Sequence, residues 1–110
     1  MMRNYTLRFL PSSRDDLVRM KEYILKEFMY PQYGVNFDKK IKEATKIIKR
    51  SPESFKSTEF TYRGLEIYMR CINTYLFFYI VEEETISVLR VLKDGMNWEC
   101  LMKSWIHQNR

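Results

Sequence analysis

Between Tyr62 and Trp98 the chain carries Arg63, Arg70, Tyr75, Arg90, Lys93 and Trp98, a series of cations and aromatics set in segments that read as strand rather than loop. Guanidinium and ammonium groups neutralise phosphate or carboxylate, tyrosine and lysine can pass a proton, and Arg with Trp is typical of protein–protein hot spots. Such a surface meets RNA, DNA or an acidic partner protein. Each of these residues also has a structural use. Arg90 could pair with Glu66 or with a glutamate of the Glu82 to Glu84 turn, and Arg63 and Arg70 could be solvated strand-edge charges. Trp98 and Trp105 suit anchors for a docked helix, while Tyr68, Tyr75 and Tyr79 fit a pleated surface as well as they fit base stacking.

The chain as a whole narrows the classes of function. Its 110 residues predict a single domain, residues 1–110, long enough to enclose one hydrophobic core. Only three Gly and three Pro among them argue against long disordered segments. A net charge of +5 steers anionic surfaces toward encounter. Cys71 and Cys100 are too far apart in sequence for a metal knuckle and are expected as small buried hydrophobes. With His107 the only histidine, neither a zinc site nor a Cys-His nucleophile has enough members, so no metal or cofactor is expected. The N-terminal ten residues lack the apolar core of a secretion signal, and no apolar run approaches the ~20 residues of a membrane span. A cytoplasmic protein without membrane contact is the expectation.

The elements that would position these residues follow from periodicity. Tyr5, Leu7 and Phe9 alternate with Thr6 and Arg8 as in a half-buried strand that Pro11 ends. Ser12 or Ser13 then offers an N-cap, with Asp15 and Asp16 placed at the positive end of the helix dipole. Leu17, Met20, Ile24 and Phe28 form the apolar stripe of this first helix, which stops before Pro31. A second helix runs from about Val35 to Arg50 on Phe37, Ile41, Ala44 and Ile48, with Lys39, Lys40, Lys42, Lys46, Lys49 and Arg50 outward. That basic face reads mainly as solvated surface and secondarily as a phosphate-contacting stripe.

Ser51-Pro52 opens a polar connection through Glu59, after which three strands follow, joined at Asn73-Thr74 and Glu82 to Glu84. The middle one, Tyr75 to Val81, is apolar or aromatic throughout, as expected when both sheet faces are covered. The helical hairpin covers only one face. The C-terminal stripe of Trp98, Leu101, Met102 and Trp105 is a candidate for the other, but a short helix is a small roof, and a partner chain is the favoured cover. The fold class is α+β: N-terminal strand, α-helical hairpin, three-stranded antiparallel meander and short C-terminal helix.

This order of elements resembles the RelE/ParE superfamily of toxins from type II toxin-antitoxin systems. The likeness covers nearly the whole chain and rests on Tyr5-Thr-Leu-Arg-Phe, Leu17 with Tyr23-Ile24, Ser51-Pro52, Tyr62-Arg63-Gly-Leu, Tyr75-Leu-Phe-Phe-Tyr79 and Val88-Leu-Arg-Val-Leu-Lys-Asp-Gly-Met-Asn-Trp98. It implies a protein that poisons growth when free, is silenced by a cognate antitoxin, and contacts DNA only through that antitoxin. Its target would be DNA gyrase, as for ParE-like members, or mRNA on the ribosome, as for RelE-like and YoeB-like endonucleases.

RNA cleavage requires activation of a 2′-hydroxyl, a cation for the charged phosphorane and an acid for the leaving oxygen. Under that reading Arg63, Arg70 and Arg90 would hold phosphates, with Lys93 or Tyr75 as proton donor or acceptor. Many members have Tyr-Arg-x-x-Tyr in the middle strand, whereas Leu76 stands at the arginine here; YoeB-like nucleases end the next strand in Arg-Tyr-His-Tyr, whereas this chain has Arg90-Val91-Leu92-Lys93. The latter segment is closer to the Arg-Val-Leu-His of ParE-like members, with Lys93 in place of histidine. The resemblance therefore favours gyrase poisoning, with Arg63, Arg90, Lys93 and Trp98 as a target-binding epitope, over a RelE-like nuclease. Outside the toxin class, a small basic RNA- or protein-binding module would account for the same charge and aromatics.

Overall fold

The computed structural model describes residues 4–109; Met1 to Arg3, which belong to the N-terminal segment read above for a secretion signal, lie outside them. Strand β1 (Thr6–Phe9) leads into helices α1 (Pro11–Phe28) and α2 (Pro31–Arg50), then strands β2 (Lys56–Tyr62), β3 (Leu65–Ile72), β4 (Tyr75–Glu82) and β5 (Thr85–Lys93), and finally helix α3 (Trp98–Gln108). The five strands form one sheet in the order β1-β5-β4-β3-β2, parallel between β1 and β5 and antiparallel elsewhere. The helical hairpin carries the chain across the sheet from β1 at one edge to β2 at the other, and the meander then returns β5 to lie beside β1.

Both long helices open on proline. Pro11 and Pro31 take the first helical turn, where the missing N–H is not needed and the fixed φ is already helical. This corrects the expected starts. Leu10, not a serine, occupies the N-cap of α1, without a side-chain cap bond, because Ser13 Oγ donates to the Leu10 carbonyl (2.8 Å) and Ser12 Oγ to that of Leu89 (2.7 Å). Asp16 is buried in an ion pair rather than spent on the dipole. Gly34 lets α2 approach α1, since a Cβ there would sit 3.0 Å from Leu25 Cδ2.

The meander has four strands, not three. Its first half, Lys56 to Glu59, reads as the end of a polar connection because an edge strand needs apolar residues on one side only, and here Lys56 and Glu59 are exposed among the hydroxyls of Ser57, Thr58 and Thr61. The pairing of β2 with β3 slips between Ser57 and Thr61, with Glu59 at φ 66°. Side chains take over the backbone donors at this bulge: Glu59 N donates to Ser57 Oγ and Phe60 N to Thr58 Oγ1, both at 3.1 Å.

Two apolar layers flank the sheet. Phe37, Ile41, Ala44 and Ile48 of α2, with Leu17, Met20 and Ile24 of α1, pack on Phe77, Tyr79, Ile86, Val88 and Val91. On the opposite face Ile67, Leu76, Phe78, Ile80, Leu89 and Leu92 are buried beneath Met102 and Trp105 of α3. That face is thus roofed by the chain itself, contrary to the favoured partner-chain cover. Eleven residues suffice because the side chains are large: Trp105 lies 5.0 Å from the Tyr62 ring, and Trp98 lies 5.7 Å from Phe78 and 6.2 Å from Phe60. Cys71 and Cys100 are exposed rather than buried; Cys71 pairs with Leu76 across the β3–β4 ladder, on the α3 face of the sheet. Among the described residues no helix is long and apolar enough to cross a membrane, and no His, Cys, Asp and Glu cluster could hold a metal.

Asp16, 5% exposed, joins α1 to β5: Arg90 donates to both its oxygens from Nε (2.7 Å) and Nη2 (2.9 Å), and Val91 N donates to Oδ2 at 3.0 Å. Asp16→Ala strands a half-buried guanidinium and a buried N–H, and is expected to cost about 3–5 kcal/mol in urea unfolding, part of it recovered by adding Arg90→Met. Tyr79, fully buried, donates to the Pro52 carbonyl at 2.7 Å and ties the loop after α2 to β4. Burial pushes its hydroxyl up to about 12, with the Arg70 guanidinium only partly opposing the shift. Unfolded tyrosine ionises near 10, so this contribution is intact below pH 10 and is lost as pH rises from there to about 12, at up to about 1.4 kcal/mol per pH unit. Tyr79→Phe should cost about 1–2 kcal/mol at pH 7 and flatten that alkaline limb in denaturation measured across pH 9 to 12.

Candidate functional site

Arg63 stands at the tip of the β2–β3 turn with φ 54°, followed by Gly64 at φ 80°. Two successive positive φ values make the tight hairpin turn that Asn-Gly satisfies best. An arginine in the first position costs roughly 1–2 kcal/mol of backbone strain. Its guanidinium carbon lies 5.2 Å from the centroid of the Tyr62 ring, and among the described residues no carboxylate pairs with it. The strained residue is therefore an exposed cation with a fixed base, the kind of feature that accumulates at functional positions.

Arg63 borders a groove of about 480 Å³ on the α3 side of the sheet. Leu65, Ile80 and Trp105 give it an apolar floor and wall, Glu82 an acidic group, and Arg8 a second cation. Arg8 is exposed, and its Nε donates to the buried Ser87 Oγ at 3.0 Å, which orients the guanidinium. Sequence reasoning treated Arg8 only as the polar partner in an alternating strand. The signal lay in β5, where Ser87 interrupts an apolar run at the point where β1 brings Arg8 alongside.

The remaining candidates lie elsewhere. Tyr75 and Lys93 are cross-strand partners at the other end of the sheet. Lys93 is exposed, whereas Tyr75 is half-buried against Phe37 in an edge-on contact of 5.6 Å, and burial raises the pKa of its hydroxyl. Arg70 donates to the Ser51 carbonyl at 2.8 Å and fastens the C-terminus of α2. Arg90 is paired, but with Asp16, neither with Glu66 nor with a turn glutamate; Glu66 accepts a bond from Ser57 Oγ instead. Trp98 is half-buried between Phe60 and Phe78.

The six sequence-chosen residues thus do not converge. Strand β3 separates Arg63 from the Tyr75–Lys93 end by its eight residues, roughly 25 Å. One apolar surface feature escaped the sequence reading. Phe28, assigned by periodicity to the core stripe of α1, is 51% exposed and lies 4.9 Å from Tyr33 at the hairpin tip. Met29, at φ 60°, and Tyr30 complete an exposed patch there. Phe28 is the last residue of α1, where the helix ends and leaves the core behind.

Known proteins place this architecture. No curated protein matches the chain. In fold it is similar to a chain of the chromosomal ParDE toxin-antitoxin system from P. aeruginosa, with a TM-score of 0.66 at 13% identity over 84% of this chain and 98% of that one. It is also similar to a chain of the RelBE2 toxin-antitoxin complex from Mycobacterium tuberculosis, with a TM-score of 0.57 at 20% identity over 87% of this chain and 98% of that one. The model of the ParE toxin of the type II toxin-antitoxin system parDE matches residues 7–98, from β1 to the first residue of α3, and the chain therefore belongs to the ParE toxin family.

Proposed function

We propose that this toxin arrests growth by binding a protein target, DNA gyrase, and that a cognate antitoxin neutralises it. One observation carries the choice of target. Leu76 and Leu92, which stand where nuclease members of the superfamily often hold charge, are 4% and 3% exposed and lie beneath α3. A scissile phosphate on that face would meet hydrocarbon, and a buried phosphate without cations is strongly disfavoured.

The chemistry left at the surface suits a protein interface. Arg63 and Lys93 are exposed cations at opposite ends of the sheet, and Trp98 is half-buried beside Phe60 and Phe78. Arg90 acts through Asp16 as a positioning residue for β5. Arg, Trp and Tyr are the residue types that dominate protein hot spots, and they need not converge on one atom as catalytic groups must. Partner binding is supported by the family and by the two similar structures, both taken from toxin-antitoxin systems.

Induced expression of the chain alone should stop growth, provoke the DNA-damage response and leave mRNA intact, and co-expression of the protein encoded in the adjoining reading frame should restore growth. Cleavage of mRNA at ribosomes would replace this reading with the RelE-like one; growth unaffected despite good expression would remove the toxin reading altogether. Arg63→Asn separates stability from activity. Asparagine suits the positive φ, so the variant should unfold at higher urea, by up to about 1 kcal/mol, while toxicity in the same growth assay falls.

A further inference from the structure

The basic face of α2 serves neither the core nor an ion pair. Lys39, Lys42, Lys46, Lys49 and Arg50 are all exposed, and at about 3.6 residues per turn they fall within an arc of about 100° turned away from the buried Phe37, Ile41, Ala44 and Ile48. Among the described residues none of the five has a carboxylate within salt-bridge reach. Asp38, on the same helix, is taken by Lys21 of α1 at 2.7 Å, which leaves Glu43 as the other carboxylate of α2.

Helix stability does not account for this stripe. Lys49 and Arg50 occupy the last turn, where the dipole favours cations, but Lys39, Lys42 and Lys46 lie within the helix. Lys39 with Lys42, Lys42 with Lys46, and Lys46 with both Lys49 and Arg50 are like-charged pairs at three- and four-residue spacing, an arrangement that weakens a helix. Between Lys39 and Arg50 no apolar residue falls in the arc. Unpaired bases, which are held by aromatics interleaved with cations, and a lipid surface, which takes up apolar side chains, would find no purchase there.

We infer that the outer face of α2 binds duplex DNA through the phosphates that line its major groove, a contact separate from any that an antitoxin supplies. From Lys39 to Arg50 the stripe is about 16 Å long, and a duplex presents one negative charge per ~1.7 Å of its axis, so every cation can meet a phosphate. The major groove of B-DNA, about 12 Å wide, admits the face of an α-helix, whereas that of duplex RNA is deep and narrow and does not. The stripe is also free to act alongside a protein target, because α2 covers the face of the sheet opposite α3 and Trp98. That pairing of contacts rests on the gyrase reading: a toxin seated on gyrase would grip the DNA that gyrase holds.

The test titrates the full chain into a fluorescein-labelled DNA duplex of about 20 base pairs and follows anisotropy from about 50 to 200 mM salt. A dissociation constant on the order of 10 μM is expected at the lowest salt, with log K falling against log salt at a slope of about −4.5, the value for five neutralised phosphates. Lys42→Gln and Lys46→Gln should each reduce that slope by about 1, and Lys42→Glu combined with Lys46→Glu should weaken binding about a hundredfold at the lowest salt. Lys26→Gln removes one exposed charge from α1 instead and should leave the slope unchanged, and circular dichroism reports that the helices persist in every variant. No binding at about 100 μM protein, or a slope that Lys26→Gln alters as much as the α2 variants do, would overturn the inference. So would binding of duplex RNA, single-stranded RNA or phosphatidylserine vesicles as tight as that of the DNA duplex. The assay contains neither gyrase nor antitoxin, so its failure leaves the growth assay to decide the gyrase reading by itself.

Discussion

The structure depends on how β5 is paired beyond the point where β1 stops. Strand β1 lasts four residues and β5 nine, so the edge of β5 past Val88 would be left with unpaired backbone groups in the interior. The start of α1 replaces the missing strand. Leu10 N bonds the Val88 carbonyl, Ser12 Oγ bonds that of Leu89, and the Asp16 carboxylate accepts from Val91 N while holding Arg90 through two bonds. A carboxylate buried to this degree is stable because charge-assisted donors surround it, three from β5 and a fourth, Arg19 Nη2 at 3.1 Å, from α1 itself. Helix α1 is thereby docked on the sheet by polar bonds at its N-terminus and by apolar packing along its length, and α2 follows from α1.

This arrangement also accounts for the register of β5. The ladder with β4 slips between Phe78 and Tyr79, where Arg90 and Val88 are the respective partners and Leu89 is the additional residue. The slip changes which positions of β5 face which layer: Ile86 and Val88 face the helical hairpin before it and Val91 after it, while Leu89 and Leu92 face α3. A strict alternation would have put one of these apolar residues on the wrong side. The bulge is what lets a nearly continuous apolar strand serve two cores.

Much of the fold was legible because its elements have clean periods. The stripes of α2, of α3 and of α1 as far as Ile24 follow from spacing, β3 from alternation, and β4 and β5 from their nearly continuous apolar runs. Strand β2 was not legible, because an edge strand with a bulge has no alternation to count, and its hydroxyls resemble those of a loop. The role of Asp16 was hidden for a different reason. Its position in the first turns of a helix has a sufficient local explanation in the dipole, and only the tertiary placement of Arg90, 74 residues away, reveals the competing use. At the candidate site the same difficulty recurs: Arg63 was singled out by type, but its strained φ and its position on a groove with Arg8 are properties of the turn and of a parallel pair distant in sequence.

Roofing one sheet face with α3 has a consequence for where charge can act. Every residue of β4 from Leu76 to Ile80 is buried, so the middle strand, where Leu76 stands in place of the arginine of many superfamily members, has no outward position left to offer. Of the basic residues on the strands beside it, Arg70 serves the C-terminus of α2 and Arg90 serves Asp16. Cations without such duties are pushed to the rim, at Arg8, Arg63 and Lys93, and to the outer face of α2. A rim of this kind is poorly suited to holding one phosphate in a fixed geometry, because groups separated by the length of a strand cannot reach a common atom. It is well suited to large partners, whose own surfaces span the distance and for which peripheral charge governs encounter rate and orientation. The same packing that stabilises the domain thus leaves its free cations at the rim, which supports the proposed protein target over a phosphate held on the sheet face.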